Sequence, residues 1–360
     1  IMRNNLQVLA IVFIIALQFS CNNRPNLIPE VRDVDFSNKD LEVEGKFVKE
    51  IIGAKSIFEY DTLLLVLTYN PAAQLMVFNT NTLDTLGEFC IKGHARNEFQ
   101  ELHTSVCQMY EKEGDVFATL YDGPYLVKEV NITESIRQGS TVVSNTVDVM
   151  RLGKGPTVFL NKDLNQKFEL LKNKYKPDEE MREVPSVYTV KIPDKKDKEL
   201  KILRRVVYVE EDRKREMPYD STIKKHPTKN IIVNMFRGLD YLVFFDLDND
   251  KTFAIHQTGS ATFDDEPYVD TGEYYFTGTA HGTEDYVILG YNHGKEAMNE
   301  PDRHKRKTEI IIFDWGGNFI TNIKLDRRVG HIVYDELQKK LFALTFREEI
   351  YEYDLSGLLP

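Results

Sequence analysis

Apolar and polar positions alternate along this chain in short runs. The clearest stretch is His331–Gly357, HIVYDELQKKLFALTFREEIYEYDLSG. It divides into three strand-length pieces, HIVYD, KLFALTF and EIYEYDL, separated by polar turns. Period-two alternation bounded by turn residues predicts strands joined as hairpins. The phrase recurs in looser form, each copy an apolar strand ending in Asn or Asp, a polar turn and a further strand. The anchors are Asn79, Asn131, Asp194, Asp246, Asp314 and Asp354. Asn and Asp suit that position because their side chains hydrogen-bond the backbone of their own turn. An apolar run precedes each anchor: Leu63–Thr68, Asp115–Tyr121, Lys167–Lys172, Asn230–Phe236, Tyr286–Tyr291 and Leu341–Phe346. All but the third unit also offer a first strand, in SIFEY, SVCQMY, STIKK, YYFTGT and HIVYD.

Recurrence at roughly 40–70 residues, with four strands to a unit, is the signature of propeller blades carrying insertions. The fold class expected is all-β, a six-bladed β-propeller over residues 41–360. A pair of β-sandwiches is the alternative. The last unit ends at Pro360 without a fourth strand, and Leu41–Ile52, LEVEGKFVKEII, alternates without a partner of its own. That segment is expected to supply the outer strand of the last blade and remove an exposed edge. Residues 139–187 depart most from the repeat and read as an insertion. Within it Leu164, Phe168 and Leu171 fall on one face of a predicted helix over Lys162–Lys174.

The N-terminus follows a different pattern. Arg3 and the 12-residue apolar run Leu6–Leu17 form a secretory signal over residues 1–20, the run being too short to span a bilayer. Gln18-Phe19-Ser20-Cys21 resembles a bacterial lipobox, with Gln18 where Leu is usual. Cys21 is then the lipidation site, and multiple acyl chains would hold it stably. An ordinary cleaved signal is the alternative. Residues 21–40 read as a polar tether. The absence of an acidic run after Cys21 leans toward a periplasm-facing outer-membrane anchor.

The link GEFCIKGHARNEFQELHT, residues 87–104, resembles the G-x-G-P-x-E-F link of NHL-like and TolB-like six-bladed propellers. Gly93 and Glu98-Phe99 keep the frame, while Ala95-Arg96-Asn97 replaces the second Gly and the Pro. With the hairpins and the lipobox, the chain resembles the TolB-like propeller lipoproteins of Bacteroidetes over roughly residues 40–357. The resemblance implies a fold and an envelope location, and no particular activity.

Composition narrows the partners. The net charge of −11 disfavours nucleic acid. Cys90 and Cys107 are a candidate disulfide in an oxidising compartment, with two separate buried thiols as the alternative. No cofactor is expected, although Asp246-x-Asp248-x-Asp250 resembles the start of a calcium loop. Lys251 and Gln257 stand where an EF-hand has Gly and Glu, and the same residues fit a hairpin turn. No catalytic motif stands out, so catalytic and metal-site residues are expected to be none.

The strongest constellation is topological. In a propeller, loops between second and third strands share a face with the links between blades. That places Tyr69, Asn70, Tyr121, Asp122, Arg237, Tyr291, Asn292, His293 and Arg347 around the channel mouth, with His94 and Arg96 from a link. Aromatic groups beside hydrogen-bonding groups suit a peptide, protein or glycan ligand. The alternative is that strand ends are polar because they are wet. A calcium-dependent lactonase-like or sugar-processing enzyme is the second functional expectation, resting on Asp122 and Glu348.

Overall fold

Alternating segments become strands wherever one face finds an apolar neighbour, and nearly all of them do. The computed structural model describes residues 30–36, 41–123, 126–148, 157–173, 183–191, 198–207, 221–236, 240–260, 275–292 and 306–359. Three N-terminal strands come first: β1 (Val31–Val34), β2 (Leu41–Val43) and β3 (Lys46–Glu50). The first sheet follows with β4 (Ala54–Tyr60), β5 (Leu63–Thr68), β6 (Leu75–Asn79) and β7 (Thr85–Phe89). The second has β8 (Leu102–Lys112), β9 (Asp115–Asp122), β10 (Leu126–Asn131) and, after helix α1 (Ile132–Gln138), β11 (Val143–Asp148). The third has β12 (Thr157–Phe159), β13 (Lys167–Asn173), β14 (Glu183–Lys191) and β15 (Lys198–Val207).

The fourth sheet has β16 (Ser221–Lys225), β17 (Ile231–Phe236), β18 (Tyr241–Asp246) and β19 (Lys251–Gln257). The fifth has β20 (Phe276–Gly282), β21 (Tyr286–Tyr291), β22 (Glu309–Asp314) and β23 (Phe319–Leu325). The sixth has β24 (Val329–Asp335), β25 (Lys340–Thr345) and β26 (Glu349–Asp354).

Each sheet is an antiparallel meander, and its first strand lies against the first strands of its neighbours. β4 touches β8 and β24, β24 touches β20, β20 touches β16, and β12 touches both β16 and β8. The molecule is therefore a propeller-like ring of sheets. Apolar clusters fill the gaps between them. Leu65, Leu67 and Val77 pack against Ala118, Leu120 and Val130. Ile57, Leu64 and Val66 pack against Val333, Phe342 and Leu344. Val127 of β10 meets Phe159 and Leu164, and Phe168 of β13 meets Phe245 of β18 with ring centroids 5.3 Å apart. Burial of these apolar faces is the main term holding such a ring together.

The N-terminal strands close the design. β3 pairs antiparallel with β26, Tyr351 opposite Phe47, so the last sheet is completed from the start of the chain as expected. The strap does more than that. β2 runs parallel to β23 and β1 runs parallel to β19, so three consecutive sheets carry an N-terminal strand on their outer edge. Within the tether expected over residues 21–40, Val31–Val34 is strand. Phe36 is fully buried, edge-on to Tyr291 at 5.8 Å and Phe313 at 5.4 Å. Val31, Val34 and Phe36, apolar residues spaced through the expected tether, were the signal for this.

The expected insertion over 139–187 also differs. Its described residues are β11, β12, β13 and the start of β14, the outer edge of one sheet and the inner strands of the next. The helix predicted over Lys162–Lys174 is a turn followed by β13. β13 pairs with both β12 and β14, and two ladders override a single apolar stripe. The one helix among the described residues starts at Asn131, where a hairpin turn was expected. Asn131 accepts the Glu134 amide at 2.8 Å, an N-cap legible in hindsight from Asn131-Ile132-Thr133-Glu134.

The other described anchors behave as the sequence implied. The side chains of Asn79, Asp246, Asp314 and Asp354 accept amides of their own turns at 2.8–3.1 Å. Asp246 is thereby occupied as a turn residue, and Asp248 accepts Asn230 Nδ2 at 2.9 Å. The Asp194 anchor lies outside the described residues. No helix among the described residues is long and apolar enough to cross a membrane.

Candidate binding face

In a four-stranded antiparallel meander, the loop between strands two and three and the link leaving strand four lie at the same end. The turns at that end are tied together by hydrogen bonds. Ile51 N donates to Glu348 O at 2.9 Å, Tyr69 N to Gly53 O at 2.8 Å, and Lys92 N to Pro71 O at 2.7 Å. Gly53 N donates to the Glu348 carboxylate at 2.9 Å. Gly53 has φ +80°, which a residue with a Cβ adopts only at a cost. The turns before β4, after β5, after β7 and after β25 thus form one continuous surface.

The ring residues divide on this surface. Tyr69, Asn70, His94, Arg96 and Arg347 are exposed. Tyr121 and Asn292 are half-buried. Asp122 and Tyr291 are not surface groups at all. Asp122 Oδ2 lies 2.7 Å from Lys128 Nζ, both side chains buried, and Asp122 Oδ1 accepts the Gln100 amide at 2.6 Å. Lys128 in turn bonds Glu98 O and sits 4.6 Å over the Phe99 ring. Asp122 is thus the clamp that fixes the link to β10. Tyr291 donates to Asp240 at 2.7 Å inside the core between the fourth and fifth sheets. Burial beside that carboxylate pushes its hydroxyl well above the usual range. Arg237 and His293 lie outside the described residues, as does Cys21. Cys90 is buried at the end of β7, and Cys107 lies within β8.

The link keeps the frame read from the sequence. A Cβ on Gly93 would fall 1.9 Å from Glu98 Oε2, while that oxygen accepts Ala95 N at 2.9 Å. Phe99, fully buried, pins the link to the core.

Three residues absent from the sequence reading change the character of the face. Ile52 is 83% exposed, Phe346 67% and Ile91 55%, and Tyr69 joins them at 72%. All four stand on the connected turns just described. The signal was an apolar residue at a turn, in Ile51-Ile52-Gly53 and Phe346-Arg347-Glu348, where wet strand ends call for polar ones. Cations accompany them. Lys55 Nζ lies 4.9 Å over the Tyr69 ring and the Arg328 guanidinium 4.6 Å over Phe346. Burial pushes the Lys55 amine below its ordinary range. Among the described residues, no group of three or more His, Cys, Asp or Glu side chains gathers as metal ligands would.

No protein-family model matches the chain, and no curated protein matches it. Solved structures do. One is a Bacteroides fragilis protein whose name calls it exported, 11% identical, covering 90% of this chain and 97% of that one, with a TM-score of 0.43. Another is a member of the duf4221 family from Bacteroides vulgatus, 10% identical, covering 88% and 98%, TM-score 0.48. A third is Raptor of Chaetomium thermophilum, 10% identical over 88% of this chain and 28% of that one, TM-score 0.43.

Proposed function

We propose that this chain is a non-catalytic binding module of the bacterial envelope. In this reading it is an outer-membrane lipoprotein anchored through Cys21, facing the periplasm, and its strands close as a six-bladed propeller. The loop face binds a peptide, protein or glycan. One observation carries the binding reading: Ile52, Tyr69, Ile91 and Phe346 are exposed together on connected turns of one face. Four large apolar side chains left in water on connected turns of one face are the kind of exposure that an interaction surface explains. Six successive sheet-to-sheet apolar clusters support the blade count.

The calcium-enzyme reading leans on Asp122 and Glu348. Asp122 is held by Lys128 and two link amides. Glu348 is held by the Gly53 amide. Both carboxylates brace the loops, so the geometry favours recognition over catalysis.

A photo-crosslinking amino acid placed at position 69, and separately at 337, tests the face. Leu337 is 72% exposed in the turn between β24 and β25, at the opposite end of the ring. Adducts in envelope preparations are expected from position 69 and not from 337. Equal labelling from both positions, or labelling only from 337, would remove the basis for the proposal.

A further inference from the structure

The geometry points to a zinc site inside the ring of first strands, with Glu59 Oε2 and His281 Nε2 as its two protein ligands and water completing the shell. It stands apart from the loop face and does not depend on the binding reading. Glu59 comes from β4 and His281 from β20. These strands are not neighbours, since β24 lies between them, yet the two side chains approach to 3.7 Å. That is too long for a hydrogen bond. Two ligand atoms, each about 2.0–2.2 Å from one tetrahedral zinc ion, lie roughly 3.4 Å apart, so a small adjustment seats the ion.

Both groups are enclosed and unspent. The Glu59 side chain is 8% exposed and that of His281 10%, so ions and water still reach them. Among the described residues neither side chain has a hydrogen-bond partner. Enclosed polar groups left unbonded cost free energy and call for an explanation, and one ion satisfies both at once. Charge agrees. Three carboxylates, Asp335, Glu336 and Asp61, bear on Glu59, and the single cation Lys224 of β16 opposes them. Lys224 bears on His281 as well. The balance favours a bound cation. Imidazole beside carboxylate is a donor set for zinc, whereas calcium and magnesium take oxygen alone. Such an ion would brace the first and fifth sheets across the sixth.

Calorimetric titration of zinc chloride into the untagged whole protein tests this. The same titration is run on Glu59→Gln, on His281→Gln and on a His94→Gln control, His94 being exposed on the link. One zinc per chain is expected, with a melting temperature that rises as zinc is added. Each ligand variant should lose at least the about 10–100-fold in affinity that removing a supporting partner costs, and the control should lose none. X-ray absorption on the zinc-loaded wild type requires no variant to fold, and should show one imidazole with oxygen neighbours otherwise. Three results would each overturn the site: no zinc uptake by the wild type, uptake unchanged in both ligand variants (an adventitious ion only), or sulfur or a second imidazole at the metal.

Discussion

Glu59 and His281 show what burial does to single side chains in this ring. They project from β4 and β20 and meet with 3.7 Å between Oε2 and Nε2, although β24 lies between those two strands in the ring. Burial, reinforced by Asp335, Glu336 and Asp61, pushes Glu59 from 4.5 up to about 9. Burial pushes His281 from 6.5 down to about 3, and His331 of β24 down to about 4. The signs then differ. Below pH 6.5 the unfolded chain protonates both histidines while the folded chain refuses them, so acidification toward pH 3–4 costs stability. Above pH 4.5 the unfolded chain releases the Glu59 proton that the folded chain keeps, so raising the pH toward 9 costs stability as well. Between those limits two histidines outweigh one carboxyl, and these groups place maximal stability at about pH 6.5. Glu59→Gln should flatten the alkaline limb. Thermal melts at pH 6.5 and 8.5 check this; an unchanged drop between them would mean that Glu59 ionises in the folded ring. None of this was legible beforehand. Glu59 and His281 are 222 positions apart in the sequence, and only the closure of the ring makes them neighbours.

Elements were far more legible than contacts. Each anchor whose turn is described as a hairpin matched its pattern, because an Asx turn is a local device read from four residues. The errors came where local pattern lost to pairing. Lys167–Asn173 carries a helical stripe, yet β12 and β14 on either side supply ladders that a helix forgoes. Asp122 misled in the same way: its place at the end of β9 was right, but its partner Lys128 comes from β10, across the turn. That clamp makes a prediction at the scale of one hairpin and one link. Asp122→Ala leaves the Lys128 ammonium buried without its counter-charge, and such a loss costs about 3–5 kcal/mol. Chemical denaturation should show it. The paired replacement of Asp122 and Lys128 by apolar residues should recover much of the loss, and a double variant as unstable as the single one would argue against the clamp.

At the scale of the whole molecule, the strap decides how the ring is finished. The closing pair β3–β26 was legible because one strand lacked a partner at each end of the chain. β1 was not, and β2, though inside the alternating Leu41–Ile52 segment, went to β23 rather than to the last sheet, because a strand's alternation does not say which edge it joins. Phe36 anchors the strap between the fourth and fifth sheets, with its amide donating to Gln257 Oε1 at 2.7 Å. Phe36→Ala empties a fully enclosed aromatic site and should cost about 3–5 kcal/mol. It should also raise amide exchange in β1, β19 and β23 ahead of β5 and β6. Uniform exchange across all six sheets would show that the strap and the ring unfold as one unit.

The same strap sets an order in time. Asp33 meets His256 at a separation of 223 residues, and Lys46 meets Glu352 at 306. These N-terminal strands are therefore made well before the strands they pair with. They wait unpaired until the fourth, fifth and sixth sheets arrive, and the entropy of drawing in so long a loop falls due only at that final step. A chain stalled before β26 can seat β1 and β2 but lacks its seam, so the ring is sealed only when β26 reaches β3.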